Sequence, residues 1–180
     1  ESGESIMQMR IHFLEEFRTV FQTYYKQLSL GREEVELVYK PAVADGGLLT
    51  ALHDSLERDR YLNYTTVGIH RDDLVLNIGK YPVRKIGSQG QKKTFLIALK
   101  LAQYAWLNQM SGIKPLLLLD DIFDKLDADR VSQIVKIVGG KQFGQIFITD
   151  TNREHIDEIL KMQQVDYRLF TVDKGDILMS

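Results

Sequence analysis

The sequence predicts an α/β protein with a mostly parallel sheet, joined to a smaller α+β segment. Two patterns carry that expectation. In the second half, short aliphatic strands alternate with helices, as in a parallel sheet covered on both faces. In the first half, an amphipathic helix precedes strands that alternate polar and apolar residues and meet at tight turns.

Composition supports a folded core. The 180 residues are 44% hydrophobic and 27% charged, a mixture too apolar for a disordered chain. With 23 Lys and Arg against 25 Asp and Glu, the net charge is −2. This balance does not suggest wholesale wrapping of nucleic acid, and leaves room for a local basic patch. The absence of cysteine excludes disulfides, thiolate metal sites and Cys nucleophiles. No run spans a bilayer, since Leu116–Leu119 is the longest purely aliphatic stretch. No signal peptide is visible, and a cytoplasmic location is expected. The chain starts at Glu1 inside a helical pattern, and is expected to be a piece of something longer.

In order, Ile6, Met9, Phe13, Phe17, Phe21, Tyr24 and Leu28 recur every three or four residues, one face of a helix over 5–28 that Gly31 ends. This stripe is read as core, with exposure as the other reading. Val35, Leu37 and Tyr39 mark a strand over 33–40, stopped by Pro41. After the turn Asp45-Gly46-Gly47, a helix over 48–60 places Leu48, Leu49, Leu52 and Leu56 on one side. Thr65–Ile69 reads as a strand. Leu74–Ile78 and Tyr81–Ile86 read as a hairpin across Gly79-Lys80. A long helix follows from about Ser88 to Met110. Then come strand 116–119, helix 128–138, strand 145–149, helix 153–160, strand 167–172 and a last short strand, 176–179.

Four short features carry chemistry. Leu116–Leu119 runs into Asp120-Asp121. Carboxylates at the C-terminal end of a central parallel strand sit where open α/β sheets bind ligands. Two adjacent acids repel unless a cation or proton intervenes. They read as a Walker B pair, Asp120 on Mg²⁺ and Asp121 orienting or deprotonating water, or as a solvated acidic turn. Gly87-Ser88-Gln89-Gly90-Gln91 opens the long helix. Ser88 and Gln91 fit a capping box. The Ser88 hydroxyl and free N–H groups at Ser88, Gln89 and Gly90 would equally suit an anion. Asp124–Asp127 follows the acid pair, with Asp127 suited to cap the next helix. Thr149-Asp150 ends the next strand, and serves a phosphate, a water or a cap.

In that order the features resemble the C-terminal lobe of an ABC-type P-loop NTPase: signature motif, Walker B, D-loop and switch position. Departures narrow the likeness, since Gln89 stands where many members have Gly and Asp121 where most have Glu. With Gly68-Ile69-His70-Arg71-Asp72-Asp73-Leu74 added, the set is similar to the C-terminal half of the RecF family, SMC-like recombination mediators. The one mismatch in that stretch is Ile69 where Pro is expected. The resemblance implies an arm-like segment over 1–62 and an ATPase head over 63–180. It implies ATP and Mg²⁺ as cofactors and an ATP-dependent homodimer. It further implies action at single-strand/double-strand junction DNA with RecO and RecR, in DNA repair and the SOS response. Ser88, Gln89, Gly90 and Gln91 would meet the γ-phosphate held by the other protomer. Asp120 and Asp121 would serve the protomer's own ATP, with Thr149 and Asp150 nearby, and Asp127 would reach across the interface. Arg84, Lys85, Lys92 and Lys93 are candidates for DNA contact, against a mixed-charge surface.

No G-x-x-x-x-G-K-[ST] loop occurs in these 180 residues, so by itself the chain is expected neither to bind ATP tightly nor to hydrolyse it. Other readings are an SMC-like ATPase with different cargo and a non-catalytic interaction module. A receiver domain fits less well, because no strand bearing a further acceptor Asp lies between Asp121 and Thr149.

Overall fold

Apolar residues at three- and four-residue spacing draw Ser2–Leu28 into helix α1. The computed structural model describes residues 2–43, 47–151 and 166–179, and divides into two units, 1–113 and 114–180. In the first unit, α1 buries Leu14, Phe17, Phe21, Tyr24, Tyr25 and Leu28. The core reading of its stripe holds for that stretch alone. Ile6, Met9 and Phe13 are exposed, Met9 by 61%. The helix closes where the Gly31 N–H donates to the Lys26 carbonyl at 2.9 Å.

Strand β1 (Val35–Lys40) pairs antiparallel with β2 (Asp73–Ile78), with Leu37 opposite Leu76. Helix α2 (Leu48–Leu62) lies between them in sequence. Its leucine stripe is shallow: Ser55 is its only buried residue, and Leu49 and Leu56 are exposed. The strand expected over 65–69 does not form. Gly68 sits at φ +142, a backbone angle that a side chain strongly disfavours. The Thr66 N–H donates to Asp59 at 2.9 Å instead of to a ladder, and a 3-10 turn takes Ile69–Arg71.

The hairpin after β2 also departs from expectation. Strand β3 is only Tyr81–Pro82, and the chain turns at once into a short helix α3 (Val83–Ile86). Pro82 has no N–H with which to extend the pairing. Helix α4 (Gln89–Ser111) then packs along α1. Their shared core is aromatic: the Tyr25 and Phe95 ring centroids are 4.6 Å apart, and those of Phe21 and Phe95 5.5 Å. Farther along, Phe13 meets Trp106 edge-on at 5.1 Å.

In the second unit, β4 (Leu117–Leu119) and β5 (Ile146–Ile148) pair in parallel, joined through α5 (Ala128–Val138). Helix α5 buries Val131, Ile134, Val135, Ile137 and Val138. Leu117 and Leu119 are buried, whereas Leu118 is 62% exposed. Among the described residues, burial thus falls on one face of this strand, not on both as expected. The last strands, β6 (Phe170–Asp173) and β7 (Asp176–Met179), form a separate antiparallel hairpin rather than extending the parallel pair. The helix expected over 153–160 lies outside the described residues. No described helix is long and apolar enough to cross a membrane.

Phe95 is 2% exposed at the centre of the α1–α4 contact. Phe95→Ala is expected to lower unfolding free energy by about 3–5 kcal/mol, measured by urea denaturation of this chain; a loss below about 1 kcal/mol would contradict the packing described.

Candidate functional site

The first unit presents the start of α4. Gly87 approaches α3 so closely that a Cβ there would lie 2.6 Å from the Val83 carbonyl oxygen, leaving room only for glycine. Ser88 follows as N-cap, and the capping box is complete. The Gln91 N–H donates to Ser88 Oγ at 3.1 Å, and the Ser88 N–H donates to Gln91 Oε1 at 2.8 Å. The second bond corrects one expectation: the Ser88 N–H is committed, not available to an anion. The N–H groups of Gln89 and Gly90 make no hydrogen bond within the described residues, as the first turn of a helix requires. Ser88 Oγ accepts with a lone pair, so its own proton remains to be donated. Ser88 and Gln89 are exposed, Gly90 and Gln91 half-buried.

Approaching this turn, the His-Arg-Asp-Asp stretch is tied inward. Asp72 accepts from Arg10 at 2.6 Å, from the Tyr39 hydroxyl, and from the Ala42 N–H at 2.9 Å. Its side chain is only 6% exposed. Burial by itself would raise its pKa. The bonds from Ala42, Tyr39 and Arg10 outweigh that and hold it below the ordinary carboxylate value. Arg71 lies over the Tyr64 ring, 5.7 Å from its centroid.

The second unit carries the acid pair. Asp120 and Asp121 are exposed at the C-terminal end of β4. Thr149, at the end of β5, joins them. Its hydroxyl donates to Asp120 Oδ1 and accepts the Asp121 N–H at 3.1 Å. The Asp121 N–H also reaches the Thr149 carbonyl at 3.1 Å. Asp121 sits at φ +46, a left-handed conformation that Asp tolerates better than most residues. Asp127 caps α5 by accepting the Arg130 N–H at 2.8 Å, as the cap reading anticipates. Asp124 pairs with Lys125 at 3.4 Å, and Asp150 is half-buried. Among the described residues, no group of three or more His, Asp or Glu forms a metal cage. The hard carboxylate of Asp120 suits Mg²⁺, which takes one or two carboxylates and completes its shell with water and phosphate.

The candidate DNA contacts are dispersed over α3 and α4. Arg84 and Lys85 are exposed on α3, Lys92 is exposed on α4 and Lys93 is half-buried. Arg84 and Lys92 line one open groove with Leu76, Val83, Phe95, Leu96 and Leu99. Sequence reasoning missed two residues, Arg10 and Glu33. They meet their partners across 62 and 58 positions, separations at which no local pattern operates.

The mixed helix and strand architecture with a parallel pair is that of an ABC-type ATPase head. The SMC head of Pyrococcus furiosus superposes over 99% of this chain and 37% of its own, with TM-score 0.59 at 15% identity, a likeness of fold. Within that class the chain matches the C-terminal half of RecF. It is 50% identical over 98% of its length to the DNA replication and repair protein RecF of Phocaeicola vulgatus. A solved structure of the recombination mediator RecF with ATP superposes at TM-score 0.73 and 26% identity, over 99% of this chain and 47% of that one. The chain spans about half the length of the curated relatives it matches, 48% of the Phocaeicola vulgatus protein. No family model matches it.

Asp72 offers a test within this chain. Because its folded pKa is lowered, its contribution is present above the unfolded value and is lost as pH falls. Asp72→Asn is expected to cost about 2 kcal/mol at neutral pH. The gap from wild type should narrow below about pH 4; a gap independent of pH in denaturation series would contradict the Arg10–Asp72 pairing.

Proposed function

We propose that this chain supplies one half of an ATP-binding head in a RecF-type DNA-repair ATPase, closing on a nucleotide held by a second copy. The single observation that carries this reading is the exposed α4 tip. There the Ser88 proton and the Gln89 and Gly90 N–H groups remain unspent after the capping box is complete. An anion at that tip gains both the unspent donors and the helix dipole. A γ-phosphate offers the required charge, and the RecF relative solved with ATP gives the ligand its chemistry.

In this reading residues 1–62 form the arm-like segment and 63–180 the head. Ser88, Gln89 and Gly90 donate to the γ-phosphate bound by the other protomer, and Gln91 holds the turn. Asp120 would hold Mg²⁺, which when bound neutralises charge on the β- and γ-phosphates. Thr149 fixes the Asp120 carboxylate through its hydroxyl bond. Asp121 orients the attacking water or takes its proton, its direction set by the paired bonds from its N–H to Thr149. Asp127 faces the opposing protomer, and Asp150 stands beside the departing phosphate. The cations Arg84, Lys85, Lys92 and Lys93 contact DNA phosphates at gaps or junctions, where RecO and RecR join in loading the recombination machinery in the cytoplasm.

Two outcomes test this reading. The isolated chain should show no ATPase activity. In the full-length protein, Asp121→Asn should lower turnover by about 10²–10⁴-fold while ATP-driven dimerisation, followed by sedimentation, persists. Robust turnover by the isolated chain would overturn the division of labour. For DNA, Arg84→Ala and Lys92→Ala should each lower the log–log salt slope of gapped-DNA binding by about 1, read by fluorescence anisotropy; an unchanged slope would remove these residues from the interface.

A further inference from the structure

We propose that Glu33 is a positioning residue for the Ser88–Gln91 turn, acting through the Gln91 side chain. This rests on the reading of that turn as phosphate-facing. Glu33 lies in the loop between α1 and β1, half-buried. One of its carboxylate oxygens accepts from Gln91 Nε2 at 2.9 Å, and the other accepts from the Tyr25 hydroxyl. Tyr25 is fully buried between Phe21 and Phe95. A continuous chain of contacts therefore runs from the aromatic core through Tyr25 and Glu33 to Gln91 and Ser88.

The chemistry of position 91 follows. The Gln91 amide must accept from the Ser88 N–H and donate to Glu33, and these two partners fix which end is oxygen. Glutamate is the other residue that commonly completes a capping box. Here it would set two carboxylates against each other, a pair that cannot both ionise comfortably. An amide satisfies both partners at once. A long, half-exposed side chain ordinarily samples several rotamers. With both ends of its amide bonded, Gln91 is held in one, and so is the Ser88 turn. Donors already in place bind an anion without the cost of ordering them at the moment of contact.

The pairing makes a reciprocal test available in the full-length protein that contains this chain. Glu33→Ala is expected to weaken ATP-driven dimerisation about tenfold, while ATP affinity of the separate protomers is unchanged. It should also speed hydrogen exchange at the Ser88 and Gln91 amides. Gln91→Glu should weaken dimerisation similarly, and adding Glu33→Gln should bring it back to within about twofold of wild type, because donor and acceptor have only changed places. A double variant no better than Gln91→Glu alone, or amide exchange indifferent to Glu33→Ala, would overturn the proposal. Ser88→Ala separates the two layers. Undiminished dimerisation in that variant would reject the phosphate-facing reading, whereas the exchange rates judge the Glu33 clamp by themselves.

Discussion

The packing of α1 against α4 is the constraint on which the first unit depends. Phe21, Tyr25 and Phe95 meet there in a cluster with almost no solvent exposure. Burying each such ring is worth about 2–3 kcal/mol, and their tilted contacts add direction to that energy. The contact fixes α4 as a rigid rod, so the turn at its N-terminus is presented by a scaffold and not by a loose loop. Tyr25 serves twice, with its ring in the core and its hydroxyl on Glu33.

Polar bonds then finish what the core begins. Arg10, Tyr39 and the Ala42 N–H converge on Asp72, joining α1, the end of β1 and the segment before β2. A nearly buried carboxylate without those donors would be costly, and with them it specifies one arrangement of three chain segments. In the second unit Thr149 plays the corresponding part. Its single hydroxyl donates to one aspartate and accepts from the backbone of the next. The strand pairing of Leu119 with Ile148 brings that residue to the acid pair. The Asp121 N–H bonds to Thr149 accompany a left-handed backbone at Asp121, φ +46.

These networks give the proposed nucleotide function a physical basis in order rather than in special residues. Serine, glycine and aspartate are ordinary at helix starts and strand ends. At the α4 tip the capping box is complete, and the Gln89 and Gly90 N–H groups of the first turn stay free, as at any helix start. What is particular to it is the grip of Glu33 on Gln91. At the end of β4, the distinguishing feature is that Asp120 is anchored through one oxygen. Under the proposed function, these prearranged groups would serve one side of the nucleotide. No Gly-Lys-Ser/Thr phosphate loop occurs in these 180 residues.

Periodicity and turn chemistry by themselves determined the long helices, the capping box at Ser88 and Gln91, the Asp127 cap and the aliphatic strand ending in two acids, because each is written in neighbours no more than four residues apart. They misread 65–69 and the second arm of the hairpin, where Gly68 and Pro82 override a strand-like composition. Tertiary structure alone decided that the outer end of the α1 stripe is exposed, that Asp72 is a hub and that Thr149 serves Asp120. It also decided that Gln91 is gripped by Glu33. Those outcomes depend on which surfaces meet after the chain has folded back over tens of residues, and contact between distant segments leaves no period in the sequence.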